Sequence, residues 1–200
     1  MGELAGSQAT AAAPKTQAEP FVPLWGIALD AAVLAALIVT IARNSVYGLD
    51  FFHVFAGALW ISIDLLMGFI IGPTIRRLDV PARMVFSKGL MTKMMVVVPT
   101  AVICTLASGW QLARADGLFT TPYPPQHGWV VAALIVVALL AIIAYVYLEP
   151  ANIVVLTELR KPEPNGPLIG RMMQRFLYAA GILGVLQLSM IVIMVRLATW

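Results

Sequence analysis

The sequence predicts an all-α integral membrane protein with five transmembrane helices: a four-helix bundle core and one additional N-terminal helix. Two observations predict this fold. The first is composition: 60% of the 200 residues are hydrophobic and 12% are charged, with a mean hydropathy of +0.89. A soluble domain of this length does not need so much apolar sequence. The second is that apolar runs long enough to cross a bilayer, about 20 residues each, recur along the chain.

The predicted elements follow in chain order. Residues 1–20 are rich in Ala, Pro, Gln and Gly and hold almost no large apolar side chains, so we predict a disordered N-terminal tail. Residues 21–200 are predicted to form one transmembrane domain. Segments with Pro and Gly separate the spans, and span 4 should continue as a helix before the turn at 162–167. The five predicted spans cover about residues 24–42, 51–72, 90–110, 129–148 and 176–196.

The positions of Lys and Arg predict the orientation. One side of the membrane has few basic residues, namely Arg43, Arg114 and Arg196. The segments on the other side hold Arg76, Arg77, Arg83, Lys88, Arg160, Lys161, Arg171 and Arg175. Because positively charged loops stay on the cytoplasmic side, we predict a multi-pass protein of a bacterial inner membrane with a cytoplasmic N-terminus and a periplasmic C-terminus.

Charge and motifs exclude several classes of function. The net charge of +3 is small and its basic residues form short clusters between apolar runs, a pattern that does not indicate nucleic-acid binding. The single cysteine, Cys104, excludes a disulfide or a cysteine zinc site within one chain. The sequence has no dinucleotide motif, phosphate-binding loop or HExxH motif. Any chemistry therefore depends on the few polar residues inside the spans.

Span 2 carries a polar stripe. A helix turns about 100° per residue, so His53, Gly57, Trp60 and Asp64 lie within roughly 40° of one line, with Gly68 close to it. His53 falls near the outer end of the span and Asp64 deeper. A carboxylate inside a membrane must pair with another group, become protonated or face water, so Asp64 is the residue of this stripe that most indicates function.

Lys93, about one turn into span 3, is the predicted partner of Asp64. We predict a buried Asp64–Lys93 pair with a catalytic, proton-linked role, and Asp30 of span 1 at similar depth. The alternative is that the long Lys93 side chain extends to the cytoplasmic interface. Gln187, near the middle of span 5, predicts an interhelical hydrogen bond.

The outer end of the bundle holds a second group of candidates. His127 directly precedes span 4, and Met194 lies in the outer part of span 5. Two histidines at one depth on different helices could ligate a haem iron, with methionine as an alternative second ligand. Other roles remain open at this point: His53 as an interfacial residue, His127 as part of a loop and helix start, and Trp60 as a packing residue.

Two segments resemble a known family. "FFHVFAGALWISIDLLMG" resembles the first core helix of the HemJ-type protoporphyrinogen oxidases and the related CopD-like and DUF2269-like small membrane proteins, with His53 and Trp60 at the family's spacing. "KMMVVVPTAVICTLASGWQL" is similar to the next family helix, with Lys93, Pro99 and Gly109 at comparable places. The resemblance covers spans 2 to 5, and span 1 is an added helix.

The resemblance implies a four-helix core that holds haem b. His53 would be the axial ligand, His127 or Met194 the second ligand, and Trp60 would pack against the macrocycle. In HemJ proteins the haem serves the six-electron oxidation of protoporphyrinogen. This chain has an extra helix and is less basic than HemJ proteins. The resemblance therefore supports haem binding more strongly than it supports protoporphyrinogen as the substrate.

We therefore expect an integral membrane haem b protein that acts in electron transfer or oxidation, and the resemblance implies a membrane oxidoreductase. The alternative is a non-redox transporter or an accessory subunit of a larger membrane complex. The expected partners are the lipid bilayer, an electron-transfer or complex partner in the membrane, and a second copy of the chain.

Overall fold

The computed structural model describes residues 24–120 and 122–199. Every regular element in these residues is helical, and five helices are long and apolar enough to cross a membrane. The predicted all-α membrane fold is therefore confirmed, while the predicted tail at 1–20 lies outside the described residues. The five helices are α1 Leu24–Ala42, α2 Val46–Arg76, α3 Val80–Ala115, α4 His127–Glu158 and α5 Gly166–Ala198.

Four of the helices extend beyond the predicted spans, and α1 matches its prediction. Hydropathy marks only the apolar middle of a helix, whereas polar caps set where it begins. The side chains of Ser45, Asp79 and Asn165 each accept a hydrogen bond from the backbone N–H three residues later, so α2, α3 and α5 begin before their apolar runs do. The predicted continuation of span 4 as a helix is confirmed, because α4 ends at Glu158.

Two helices contain a wider π-helical turn. In α2 it covers Leu66–Ile71 and in α4 it covers Ala144–Leu148. Each turn directly precedes a segment with proline at its second position, Pro73 and Pro150. Proline has no N–H and clashes with the carbonyl group four residues earlier, and a widened turn accommodates both effects.

The carbonyl group released by Pro150 finds a new donor on another helix. Proline at this position cannot donate to the Val146 carbonyl oxygen, four residues earlier. The guanidinium Nη2 of Arg175 on α5 donates to that oxygen at 3.3 Å. The same guanidinium lies over the Tyr147 ring, 5.0 Å from its centroid. Neighbouring helices satisfy proline-released carbonyl groups in this way inside membranes.

The helices α2 to α5 form a four-helix ring, and α1 packs outside it. Helix α2 packs against α3 and α5, and α5 also packs against α4. Helix α3 meets α4 chiefly through the last segment of α4, Glu149–Glu158. Helix α1 packs against α3 and, less extensively, α2. This arrangement agrees with the predicted four-helix core plus one N-terminal helix.

The bundle has two chemically different ends. We call the end with the α2–α3 and α4–α5 turns the basic end, because it carries Arg76, Arg77, Arg83, Arg160 and Lys161. The opposite end carries the α1–α2 and α3–α4 connections. Between the ends, large apolar side chains such as Ile38, Phe55 and Val192 are exposed on the outer surface, as expected for helices that contact lipid.

Candidate functional site

His53 of α2 lies against α3. Its Nδ1 atom is 2.9 Å from the backbone carbonyl oxygen of Thr105. The ring also faces Gly109, where a Cβ atom would be only 2.6 Å from His53 Cε1 and 2.7 Å from Nδ1. Gly109 therefore allows the imidazole to approach the α3 backbone. The half-buried side chain is fixed between two helices.

The hydrogen bond assigns the tautomer of His53. A backbone carbonyl oxygen can only accept, so Nδ1 carries the proton and donates it to Thr105. In the neutral ring, Nε2 then holds a lone pair. Metal-ligating histidines typically donate their other N–H to a carbonyl or carboxylate oxygen, which fixes the ring orientation. The His53 geometry thus has the donor chemistry that an iron ligand needs.

We expect Gly109→Ala to displace the His53 imidazole. The new methyl group would occupy space taken by the ring edge, and overpacking of this kind costs about 1–3 kcal/mol. Thermal unfolding in detergent measures the loss. The double variant His53→Ala/Gly109→Ala is the control, because removal of the ring removes the clash. An equal loss of stability from Gly109→Ala in the presence and absence of the His53 ring would contradict the contact.

Asp64 lies at the interface of α2 and α5, where it is 3% exposed. The amide Nε2 of Gln187 donates to its Oδ2 atom at 2.9 Å, and Trp60 lies one turn earlier on α2. Gln187 is 2% exposed, and its Oε1 atom is buried without a hydrogen-bond partner among the described residues. A carboxyl group at this depth is therefore held by a neutral donor, and the predicted interhelical bond of Gln187 is confirmed.

The predicted Asp64–Lys93 pair is not formed. His53 faces Gly109 and Gly57 faces Thr105, so α2 and α3 run antiparallel in a register that places Asp64 level with Val98. Lys93 is five residues nearer the basic end, roughly 7 Å of helical rise. Its side chain is exposed, and no ion pair joins it to Asp64 in the part of the chain that is described. The exposed side chain of Lys93 agrees with the alternative, in which it lies outside the core and extends toward the membrane interface.

Asp30 forms a separate polar contact. Thr100 Oγ1 donates to Asp30 Oδ1 at 2.7 Å and links α1 to α3. Because Thr100 is close to Val98 in sequence, Asp30 and Asp64 lie at similar depth, as predicted. They occupy different interfaces, however, since Asp64 contacts α5 while Asp30 contacts α3. Among the described residues, no hydrogen bond joins the two carboxyl groups, and they therefore do not form one site.

The remaining predicted residues lie apart from His53. Trp60 is 6% exposed and belongs to the apolar core with Leu140 and Leu183. The His127 ring stacks on Tyr123 at 3.8 Å between centroids, and its Nδ1 lies 3.3 Å from the Leu118 carbonyl oxygen. Met194 is half-buried on α5. Within the described chain, no hydrogen bond or ring contact joins His53 to His127 or Met194.

A pocket of about 340 Å³ opens at the same end of the bundle as His53. It is lined by Leu49, one turn before His53 on α2, and by Gln111, two residues after Gly109 on α3. Arg114 supplies a positive charge and Asn44 completes the polar rim. The pocket therefore adjoins the His53 site and lies between it and the nearer end of the bundle.

Sequence reasoning missed two partners in these sites. Thr105 holds His53 through its backbone carbonyl group, and any residue type offers such a group, so no sequence signal marks it. Thr100 holds Asp30, and a threonine next to a proline in an apolar run is an ordinary sequence feature. Either partner can be identified only when the register between the two helices is known.

Comparisons with protein-family models, with curated proteins and with solved structures gave no match to this chain. Among the described residues, no three His, Cys, Asp or Glu side chains cluster to hold a metal ion. A haem iron needs only one or two protein ligands. The chemistry of the site thus depends on the local geometry of His53 and Asp64.

Proposed function

We propose that this protein is an integral membrane haem b protein that acts in electron transfer or oxidation at the membrane, with His53 as an axial ligand. One observation carries the proposal: the Nδ1–H group of His53 donates a hydrogen bond to the backbone carbonyl oxygen of Thr105, which leaves Nε2 as a lone-pair donor. The resemblance of α2 to the first core helix of HemJ-type oxidases supports the same residue.

The surroundings of His53 also favour a large flat ligand. Helices α3 and α4 meet chiefly near the basic end, so the ring of helices is less tightly closed in the half that holds His53. The adjoining pocket offers Arg114, whose guanidinium suits the carboxylate groups that a haem carries. The residues that would hold haem b are therefore His53 and Arg114, with His127 or Met194 as the candidates for a second ligand.

The chain supplies orientation and the exclusion of water around such a group. When bound, haem b would provide a one-electron redox centre. Thr105 and Gly109 fix the His53 ring, and the hydrogen bond that Nδ1–H donates to a carbonyl oxygen raises the basicity of the other ring nitrogen, which would ligate the iron. Trp60 and the apolar core beneath it keep water from the centre of the bundle. Asp64, held by Gln187, is the group in that core that could hold a proton.

The proposal is tested by the haem content of the protein purified in detergent from cells supplied with haem. We expect His53→Ala to lose at least about tenfold in bound haem, because loss of an axial bond costs more than one hydrogen bond. Val54→Ala is the matched control, since Val54 is the neighbouring residue and is 59% exposed. Equal haem content in folded wild type and His53→Ala protein would contradict the proposal.

The second ligand is identified by the same measurement. His127→Ala and Met194→Leu should each keep some haem, because His53 remains. The variant that converts the spectrum from six-coordinate to five-coordinate iron identifies the ligand it has lost. Both histidines donate Nδ1–H to a backbone carbonyl group, an observation that favours His127 over Met194.

The second candidate function is transport of a proton or a small solute. The observation that favours it is the buried carboxyl group of Asp64, which forms no ion pair with any cation among the described residues, since ionisable groups inside membranes often belong to transport pathways. Two results together would support transport and exclude haem. The folded protein would be colourless, and vesicles that contain it would take up protons or a small solute in the wild type but not in Asp64→Asn.

The location proposed for the protein is a bacterial inner membrane with the basic end on the cytoplasmic side. The charge difference between the two ends supports this orientation. With this orientation, His53 would lie near the periplasmic surface. An electron-transfer partner, or a second copy of the chain, would then reach the proposed haem from that side.

A further inference from the structure

We infer that a pocket at the basic end, far from His53, binds the phosphate group of an anionic phospholipid. The pocket has a volume of about 310 Å³ and lies between α2, α3 and α5. Three arginines line it, one from each helix: Arg76, Arg83 and Arg171. This site is separate from the proposed haem site, so either proposal can fail without the other.

The charge of the pocket favours an anion. No Asp or Glu stands among the described residues that line it. Asp79, the acidic residue of the nearby α2–α3 turn, accepts a hydrogen bond from the Ala82 N–H at the start of α3. Three guanidinium groups around one cavity repel each other, and a bound phosphate would relieve that repulsion.

Two of the arginines are already held in place. Arg83 Nη2 donates to the carbonyl oxygens of Arg76 at 3.1 Å and Leu78 at 2.9 Å. Its Nε atom is buried and has no hydrogen-bond partner in the described chain. The guanidinium group of Arg76 lies over the Tyr178 ring, 5.2 Å from its centroid. The pocket is therefore largely preorganised, and one buried donor remains to be satisfied.

The shape and position of the pocket select a lipid as the source of the phosphate. Its walls also include the apolar side chains of Ile75, Met173 and Leu177, which are each at most 3% exposed. On α5 the exposed side chains of Tyr178 and Ile182 follow Gln174 of the pocket at helical spacing, toward the middle of the membrane. A phosphate in the pocket that is joined to glycerol and acyl chains would place those chains along this apolar surface. Basic pockets between transmembrane helices at the cytoplasmic side bind anionic headgroups in this way.

Native mass spectrometry of the detergent-solubilised protein, incubated with phosphatidylglycerol or phosphatidylcholine, tests the inference. We expect one phosphatidylglycerol to be retained and phosphatidylcholine to be lost. Each substitution of Arg76→Gln or Arg171→Gln should weaken phosphatidylglycerol binding about fivefold, and the double variant about thirtyfold. Arg171→Lys keeps the charge and should lose less than Arg171→Gln.

Arg77→Gln is the matched control, because it removes the same charge from the neighbouring position and Arg77 does not line the pocket. It should leave binding unchanged. A loss as large as that of Arg76→Gln would show that only the surface charge matters and would overturn the site. Displacement of the lipid by millimolar inorganic phosphate would assign a free anion and overturn the lipid source.

Discussion

Replacing Gly68 with alanine should destabilise the bundle more than any other single methyl group added to its glycines. A Cβ atom at Gly68 would lie 2.4 Å from Gly181 Cα and 2.7 Å from its backbone nitrogen. These are main-chain atoms, so no side chain can move aside, and α2 and α5 would have to separate. Overpacking costs about 3 kcal/mol at the upper end of its usual range, and close backbone contact through small residues is a main source of helix association in membranes.

The glycine pair offers its own controls. A Cβ atom at Gly181 would meet Gly68 Cα at 3.5 Å, an ordinary contact, and one at Gly89 would meet no atom within 4 Å. Gly181→Ala should therefore be tolerated. Gly89→Ala should stabilise α3 by up to about 1 kcal/mol through helix propensity. Unfolding in mixed micelles with increasing dodecyl sulfate, followed by circular dichroism, measures all three. Equal effects at Gly68 and Gly89 would contradict the contact.

Removing the partner of Asp64 should cost more than removing both members of the pair. In Gln187→Leu the buried carboxyl group loses the donor 2.9 Å away, and a buried acceptor left without its donor costs about 2–3 kcal/mol. In Asp64→Leu/Gln187→Leu no polar group remains, so the loss should fall to about 1 kcal/mol. The same unfolding measurement, applied to both single variants and the double variant, gives the coupling energy.

Lys93→Met is the matched control for this cycle. Lys93 is exposed and lies nearer the basic end than Asp64, so its substitution should leave stability within about 0.5 kcal/mol of wild type and should add independently to Gln187→Leu. If the effects of Asp64→Leu and Gln187→Leu simply add, the two side chains do not interact and the geometry described for them is wrong.

The fold followed from the sequence because lipid imposes a simple rule. Apolar runs of bilayer length must become helices, and the five runs did so. The helix ends were less predictable, since capping residues such as Ser45 and Asp79 lie outside the apolar runs. The stripe from His53 to Asp64 was also visible in sequence, because helical geometry alone places these residues on one face.

The partners of that stripe depended on helix register, which hydropathy does not contain. Lys93 was the wrong partner for Asp64 because charge complementarity and similar depth were the only available criteria. The antiparallel pairing of His53 with Gly109 shifts Lys93 away. Gln187 then supplies the hydrogen bond from α5. A uniform apolar surface permits several registers, and close contacts at small residues such as Gly68 select one of them.

Chemical rescue by imidazole tests whether His53 ligates a haem iron. The visible spectrum of His53→Ala protein is recorded in detergent with haem present, before and after addition of imidazole. We expect a Soret band in the wild type, its loss in the variant and its return with imidazole, which occupies the space of the missing ring and supplies the same nitrogen donor. A Soret band that is absent from folded wild-type protein, or one that is unchanged in His53→Ala, would contradict ligation by His53.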